Sequence, residues 1–522
     1  MRNRLLFLVA TISLSVIGSK KNSPPPREAL DAIRPSDIRQ HIEFLASDSL
    51  KGRDTPSPEL DRAAQYIADE FKRHGIKPVK ESYFHAFHVS KVRLGDENRL
   101  ALTKRGQEQA FAIKKDFMPF DMTASASVTA PLVFAGYGIT APEYGYDDYA
   151  GLEANGKIVL VMRHEPGEKD PASPFDGERA TEYSQVSWKV QNAIDRGAVG
   201  LLVIQDPLNH RSLAPRGFPW PSLYEGIPDE ALPLTLTLTE KEKIPVVQIG
   251  ETVVEHLLGS VDTLRHWQQQ IDRTFTPKPV VLADIAVTVQ TTTDATLLPT
   301  RNVVGLVEGS DVKLKSELVV IGAHYDHVGY LKQHRPGQDY IYNGADDNAS
   351  GTSAVLAIAK AFGAAKQKPK RSVLLMAFAG EEKGLYGSRA YVESPLFPLE
   401  NTVAMLNLDM VGRNAPDSVS VGGVSRSPDL IHINEQENRE VGLTLDYSVE
   451  GYHNRSDHYN FARKKIPFLF YFTGLHEDYH QVSDHADKIN EEKIARIATL
   501  AFRVAWRAAN TEQRFRYLEP KN

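Results

Sequence analysis

ELVVIGAH, residues 317–324, is an apolar run of the kind that forms a buried β-strand. After it come a helical pattern, GTSAVLAIAKAF (351–362), and three more apolar runs, SVLLMAFAG (372–380), NTVAMLNLD (401–409) and IPFLFYFTG (466–474). Continuous apolar strands separated by helical patterns are typical of a sheet that is covered on both faces. The sequence therefore predicts an α/β fold with a mixed, mostly parallel central sheet and helices on both faces.

Polar side chains cluster just after these apolar runs. They are His324, Glu381, Glu382, Asp409 and His480, together with the aspartate doublet 346–347 in NGADDNASG (343–351). In open α/β sheets, ligand sites lie outside the carboxyl ends of the strands. We therefore expect these separated residues to converge on one crevice.

The residue types in this group indicate a metal site. The chain contains no cysteine, so a metal must be held by His, Asp and Glu, a ligand set that suits Zn²⁺ or Mn²⁺. If Asp347, Glu382 and Asp409 bind two divalent ions beside neutral histidines, the charges nearly cancel. One acid of each doublet then stays free, and a free carboxylate beside a metal-bound water is a general base.

Length and composition exclude several classes of protein. The chain has 522 residues, of which 41% are hydrophobic and 25% charged, with a net charge of -6. This length favours two or three domains, and the composition is that of a globular protein. The basic surface that nucleic-acid binding needs is missing. No later stretch approaches the ~18 apolar residues of a transmembrane span.

The N-terminus has the pattern of a signal peptide, predicted at residues 1–19. Arg2 and Arg4 precede an apolar run at residues 5–17, which predicts export to the periplasm or the extracellular space. Residues 20–35, which contain KKNSPPP, form a predicted linker. Ser19 stands where a bacterial lipoprotein has its lipidated cysteine, so a lipid anchor is unsupported.

Five motifs, in this order, resemble the co-catalytic di-zinc metallopeptidases of the bacterial leucyl aminopeptidase and aminopeptidase Y type. They are HYDHVG, GADDNASG, FAGEEKGLYGS, NLDMVGR and DYH. Residues 128–262 have a further α/β pattern, which resembles a protease-associated domain. The resemblance lies in the segments VFAGYGI, GKIVLVMRHEPG and DRGAVGLLVI. The resemblance implies a zinc exopeptidase fold. Its catalytic domain would comprise residues 36–127 and 263–522, and the inserted domain at 128–262 would act as a lid or wall, or as a spacer.

The resemblance also implies a role for individual residues. Asp347, rather than Asp346, would bridge two Zn²⁺ ions, or other divalent ions such as Mn²⁺ or Co²⁺, and would be followed by a cis peptide bond. One ion would be held by His324, Asp347 and Asp409, and the other by Asp347, Glu382 and His480. Asp326 would orient the imidazole of His324.

Two further residues would act on the substrate. Glu381 would be the general base that deprotonates the water shared by the metals. Tyr479 would stabilise the tetrahedral oxyanion.

The function implied is that of an exported, zinc-dependent exopeptidase acting on peptides, with an aminopeptidase favoured. The alternatives are a di-zinc carboxypeptidase, an acyl transferase similar to glutaminyl cyclases, and a non-catalytic binding protein on the same scaffold. Arg413 and Arg455 are the candidates to bind a substrate carboxylate, although structural ion pairs are their expected role.

Overall fold

The structure is a computed structural model that describes residues 24–519 except 178–179, 217, 219, 225–231, 233 and 238–242. The predicted signal peptide lies outside the described residues. The chain divides into two compact units, which we call unit 1 (residues up to 85 and from 301 to 520) and unit 2 (residues 86–300). Among the described residues, no helix combines the length and apolar character needed to cross a membrane.

The α-helices of the described residues are, in chain order, α1 Arg27–Leu30, α2 Pro35–Leu45, α3 Pro58–Arg73, α4 Val186–Asp195, α5 Glu251–Leu258, α6 Val261–Thr274, α7 Gly351–Ala364, α8 Tyr386–Glu393, α9 Pro428–Asn438, α10 His458–Ala462 and α11 Glu491–Asn510.

The strands are β1 Phe84–Leu94, β2 Arg99–Lys104, β3 Gln107–Phe111, β4 Phe117–Pro119, β5 Ala126–Ala135, β6 Thr140–Ala141, β7 Tyr146–Asp147, β8 Ile158–Met162, β9 Gly200–Ile204, β10 Leu234–Thr237, β11 Val246–Ile249, β12 Pro279–Thr291, β13 Thr293–Val307, β14 Leu318–His324, β15 Ser372–Phe378, β16 Thr402–Leu408, β17 Ser418–Gly422, β18 Thr444–Asp446 and β19 Phe468–Phe472.

Unit 1 contains the predicted mixed sheet. Its strands follow the order β13-β15-β14-β16-β19-β17-β18. The central neighbours β15, β14, β16 and β19 are parallel, whereas β13 and β17 pair antiparallel at the two sides. Every residue of the four central strands is buried, as expected when helices cover both faces. The predicted fold class is confirmed.

Long-range packing explains why those apolar runs become strands of one sheet. Tyr391 of α8 and Phe461 of α10 join Leu318 and Val320 of β14 in one apolar cluster. Helices α7 and α11 also contact β14 and β15. Burial of this kind stabilises the folded state by about 25 cal/mol per Å² of apolar surface, so the sheet is a rigid base for the loops at its edge.

Unit 2 has its own sheet, in the order β3-β2-β12-β5-β8-β9-β11-β4. Strands β5, β8, β9 and β11 are parallel neighbours. The predicted inserted domain, 128–262, lies within this unit, but the compact unit extends further on both sides. The reason is that β12 pairs with β2 on one side and with β5 on the other, so it joins chain segments from outside the predicted boundaries.

Candidate metal centre

The predicted site residues of unit 1 meet at one edge of its sheet. His324 is the last residue of β14, Asp409 directly follows β16, and Glu381 and Glu382 follow β15 by three and four residues. His480 lies in the loop after β19. Because β14, β15, β16 and β19 are parallel neighbours, their carboxyl ends lie side by side. The structure thus brings together side chains that are far apart in sequence.

Asp347 lies at the centre of this group, and its two carboxylate oxygens face different partners. Oδ1 is 3.2 Å from Nε2 of His324, and Oδ2 is 3.0 Å from Nε2 of His480. The side chain of Asp347 is only 5% exposed. A carboxylate in this arrangement can contribute one oxygen to each of two neighbouring cations.

Two groups of potential ligands extend from Asp347. On one side, Nε2 of His324 is 3.3 Å from Oδ1 of Asp409, and the potential ligand atoms of His324, Asp409 and Glu381 lie within 4.8 Å of one another. On the other side, Nε2 of His480 is 3.0 Å from Oε2 of Glu382. The ligand atoms of this second group lie within 4.8 Å of one another.

These distances fit zinc. Tetrahedral zinc binds nitrogen and oxygen at about 2.0–2.1 Å, which places neighbouring ligand atoms about 3.3 Å apart. The four pairs of ligand atoms formed by Asp347, His324, Asp409, Glu382 and His480 are separated by 3.0–3.3 Å. In addition, Nε2 of His480 is buried and faces the carboxylates of both Asp347 and Glu382. Both groups therefore have the donors and spacing of a zinc site.

Asp346, the other half of the aspartate doublet, faces away from this group. Its Oδ1 accepts a hydrogen bond from the backbone N–H of Gly412 at 2.7 Å, and its Oδ2 lies 3.2 Å from Nε2 of His476. The hydroxyl of Ser350 donates to its carbonyl oxygen. Asp346 thus fixes the loop that carries Asp347.

The loop that carries Asp347 is fixed from both sides by buried charged residues that the sequence analysis did not identify. The Asp484 carboxylate accepts hydrogen bonds from the backbone N–H groups of Asp346 and Asp347, with N···O distances of 3.0–3.2 Å. The guanidinium of Arg53 donates to the carbonyl oxygens of Asn343 and Gly344. The Asp347–Asn348 peptide bond is cis, as the family resemblance implied.

Glu381 has an unusual electrostatic environment. Burial raises the pKa of its carboxyl group well above the ordinary value, and the negative charges of Glu382, Asp409 and Asp457 raise it further, against the lowering effect of His324. A carboxyl group with a raised pKa holds a proton more readily near neutral pH. Glu381 therefore suits proton transfer better than its neighbour Glu382, whose pKa is lowered despite burial by hydrogen bonds from His327 and His480.

Asp326 lies behind His324. Its Oδ1 is 3.7 Å from Nδ1 of His324, while its backbone oxygen is 3.3 Å from the same nitrogen. The carboxylate also accepts hydrogen bonds from Thr55 Oγ1 and from the backbone N–H of Glu381. Its contacts thus reach both the imidazole and the strand end that carries the glutamate doublet.

His327 is a site residue that the sequence analysis missed. It is fully buried, its Nδ1 lies 2.8 Å from Oε1 of Glu382, and it belongs to the second ligand group. The available signal was its position in HYDHVG, three residues after His324. Its contact with Glu382 depends on how the loop after β14 folds, and spacing alone does not show that.

Tyr479 and Arg455 line a pocket at the site, whereas Arg413 forms an ion pair. The ring of Tyr479 stacks on that of His480 with centroids 4.0 Å apart, and Tyr479 lines a pocket with Asp347, Glu381 and Asp409. Arg413 forms the expected structural ion pair, with Asp478 at 2.9 Å. Arg455 also lines this pocket.

The comparison with family models identifies this region. Residues 302–505 match the model of peptidase family M28. We call this matching stretch the M28 segment. The M28 segment contains both ligand groups, Asp326 and His327.

Several proteins with peptidase names are similar to parts of this chain. Aminopeptidase YwaD of Bacillus subtilis is 25% identical over 72% of this chain and 69% of its own length. A "Probable glutamate carboxypeptidase" of Arthroderma benhamiae is 34% identical over 26% of this chain and 16% of its own length. A "Probable zinc metalloprotease" of Pyricularia oryzae is 24% identical over 41% of this chain and 51% of its own length. The chain thus spans about half the length of the second fungal relative and much less of the first.

Among solved structures, the aminopeptidase from Aneurinibacillus sp. strain AM-1 is similar to this chain. It is 21% identical, the match covers 95% of this chain and 98% of that one, and the TM-score is 0.47.

Proposed function

We propose that the protein is a metallopeptidase that binds two Zn²⁺ ions. His324, Asp347 and Asp409 would hold one ion, and Asp347, Glu382 and His480 the other. The observation that carries this proposal is the position of Asp347, whose two oxygens lie 3.2 and 3.0 Å from histidines of separate ligand groups. The M28 match of residues 302–505 and the zinc metalloprotease name of a relative support it.

Bound zinc would supply Lewis-acid polarisation of the scissile carbonyl and a water of lowered pKa. Glu381 would accept a proton from the attacking water as the new C–O bond forms. It would then donate that proton to the leaving nitrogen as the C–N bond breaks. Tyr479 would donate a hydrogen bond to the oxyanion. A tyrosine hydroxyl is protonated at neutral pH, and burial raises the pKa of Tyr479 further.

The pocket above the site favours an aminopeptidase. Its walls include the apolar and aromatic side chains of Phe470, Phe472 and Leu475, and its lining includes the carboxylates of Glu381 and Asp409. Apolar walls suit the side chain of a terminal residue. The aminopeptidase name of the B. subtilis relative supports the same choice. Arg455 in the lining is the observation that favours the alternative, a carboxypeptidase.

Two peptides of the same sequence separate these alternatives. One has a free N-terminus and an amidated C-terminus, and the other is N-acetylated with a free C-terminus. We expect release of the first residue from the peptide with the free N-terminus and no cleavage of the N-acetylated peptide. Mass spectrometry of the products detects either cleavage. The opposite result would establish a carboxypeptidase, and Arg455→Gln would then lower kcat/KM by at least about tenfold, the value of one charge-assisted hydrogen bond.

We further propose that the protein is exported and that unit 2 contains a protease-associated domain. The first proposal is supported by Arg2, Arg4 and the apolar run at 5–17. The second is supported by the parallel strands β5, β8, β9 and β11, which include VFA of the segment VFAGYGI, IVLVM of GKIVLVM, and GLLVI.

A further inference from the structure

We propose that unit 2 holds a metal site of its own, formed by His164, Glu168, Asp206 and His210. Their four ligand atoms lie within 4.8 Å of one another. The site would take one zinc ion or a divalent ion of similar preference. It uses no residue of the M28 segment, so it does not depend on the function proposed above.

Two neighbouring loops supply these residues in the same pattern. His164 and Glu168 follow β8 in the segment HEPGE, and Asp206 and His210 follow β9 in the segment DPLNH. Each loop thus contributes one imidazole and one carboxylate four residues apart. Because β8 and β9 are parallel neighbours, both loops leave the sheet at the same edge, where ligand sites form in open α/β sheets.

The distances between the potential ligand atoms of this group match those of a tetrahedral metal site. His164 Nδ1 is 3.3 Å from Glu168 Oε2, His210 Nε2 is 3.5 Å from the same oxygen, and His210 Nε2 is 3.4 Å from Asp206 Oδ1. Zinc with bonds of about 2.0–2.1 Å separates its ligand atoms by about 3.3 Å. The remaining contact, His164 Nδ1 to Asp206 Oδ1 at 2.7 Å, is a hydrogen bond. Its proton would be released when a cation binds, as metal binding to imidazole requires.

Two of the ligand atoms lack another role. Glu168 Oε2 and His210 Nε2 are buried and have no hydrogen-bond partner among the described residues. Buried polar atoms in folded proteins normally have a partner, and one without needs an explanation. Two carboxylates beside two neutral imidazoles carry a charge of -2, which one divalent cation would neutralise. A cation would therefore satisfy both the unpaired atoms and the charge.

The surrounding contacts hold the two loops together. Nζ of the buried Lys189 donates to the carbonyl oxygen of His164 at 2.5 Å, and Asn209 donates from Nδ2 to Asp206 Oδ2 at 2.9 Å. Lys169 connects the loops by donating to the carbonyl oxygen of Asn209. His164 also has a φ of 62°, a conformation that few non-glycine residues adopt and that often marks functional positions. These contacts pre-position the ligand atoms.

The test is the zinc content of the full-length protein after treatment with a chelator and dialysis against Zn²⁺. Asp347→Asn serves as the background, because it should bind poorly at the M28 centre. We expect this variant to retain one zinc ion per chain and Asp347→Asn with His210→Gln to retain none. With Co²⁺ in place of zinc, the visible absorption of tetrahedral cobalt should be present in the former and lost in the latter.

His266→Gln in the same background is the matched control, since His266 is an exposed histidine of α6 in the same unit. It should keep the zinc ion. Circular dichroism would show that all variants are folded. Glu168→Gln is a second variant that removes one of the four proposed ligands. Equal metal content with and without His210 and Glu168 would overturn the proposal and leave the four residues as an ion-pair cluster. In the wild-type background His210→Gln should lower the zinc content by one ion even if the M28 centre binds none, so the two proposals can fail separately.

Discussion

Asp347→Asn is expected to abolish peptidase activity and to lower zinc affinity at the M28 centre by at least about 100-fold, since loss of an outer-shell partner alone costs about 10–100-fold. The amide keeps one oxygen in place of the two that face His324 and His480. It also removes the negative charge between the two proposed cations, whose mutual repulsion would then be less compensated. The measurement is zinc per chain by mass spectrometry, with turnover of an aminoacyl substrate.

Asp346→Asn is the matched control, because the two aspartates are adjacent and both buried. The amide oxygen of the introduced asparagine would still accept the hydrogen bond from Gly412, while the interaction with His476 would weaken. We expect this variant to retain its zinc and to lose no more than about 1–3 kcal/mol of unfolding free energy. If Asp346→Asn lost zinc as completely as Asp347→Asn, the assignment of the bridging role to Asp347 would be wrong.

Glu381→Gln should retain its zinc and lose turnover by about 10²–10⁴-fold, the usual contribution of a general base. Glutamine has nearly the same shape as glutamate but accepts no proton from water. KM should change little, because Glu381 is proposed to act on the attacking water rather than to bind the peptide. Steady-state kinetics and metal analysis of the same preparation check both parts.

Glu382→Gln is the variant with which the zinc content of Glu381→Gln is compared. Glu382 lies 3.0 Å from His480 and 2.8 Å from His327, so its replacement should reduce zinc content as well as turnover. If the zinc content of Glu381→Gln fell to that of Glu382→Gln, Glu381 would be a ligand, and the proposed division of the doublet would not hold.

The sequence predicts the location of the M28 centre because its proposed ligands follow strands. Apolar runs such as VVIGA and AMLNL are long enough to be buried on both faces, and buried parallel strands place their carboxyl ends together. His324 and Asp409 could be found in this way. The choice of Asp347 over Asp346 depended on the family resemblance, because spacing and composition treat the two acids alike.

Other features of the site depend on contacts between distant parts of the chain. Arg53 reaches the carbonyl oxygens of Asn343 and Gly344, and Asp484 reaches the backbone of Asp347. A charged residue in a loop is usually exposed, so nothing local in the sequence marks these two as buried. The extent of unit 2 beyond residues 128–262 depends on such a contact as well, since β12 pairs with a strand that begins at Arg99.

Activity measured as a function of added zinc is the most direct test of the two-metal account. The protein, stripped with a chelator and carrying His210→Gln so that only the M28 centre binds, is titrated with Zn²⁺ while hydrolysis of an aminoacyl substrate is followed. We predict no activity in the stripped protein and full recovery as the centre fills with two ions per chain. Activity that persists in the stripped protein, or full recovery at one ion per chain, would contradict it.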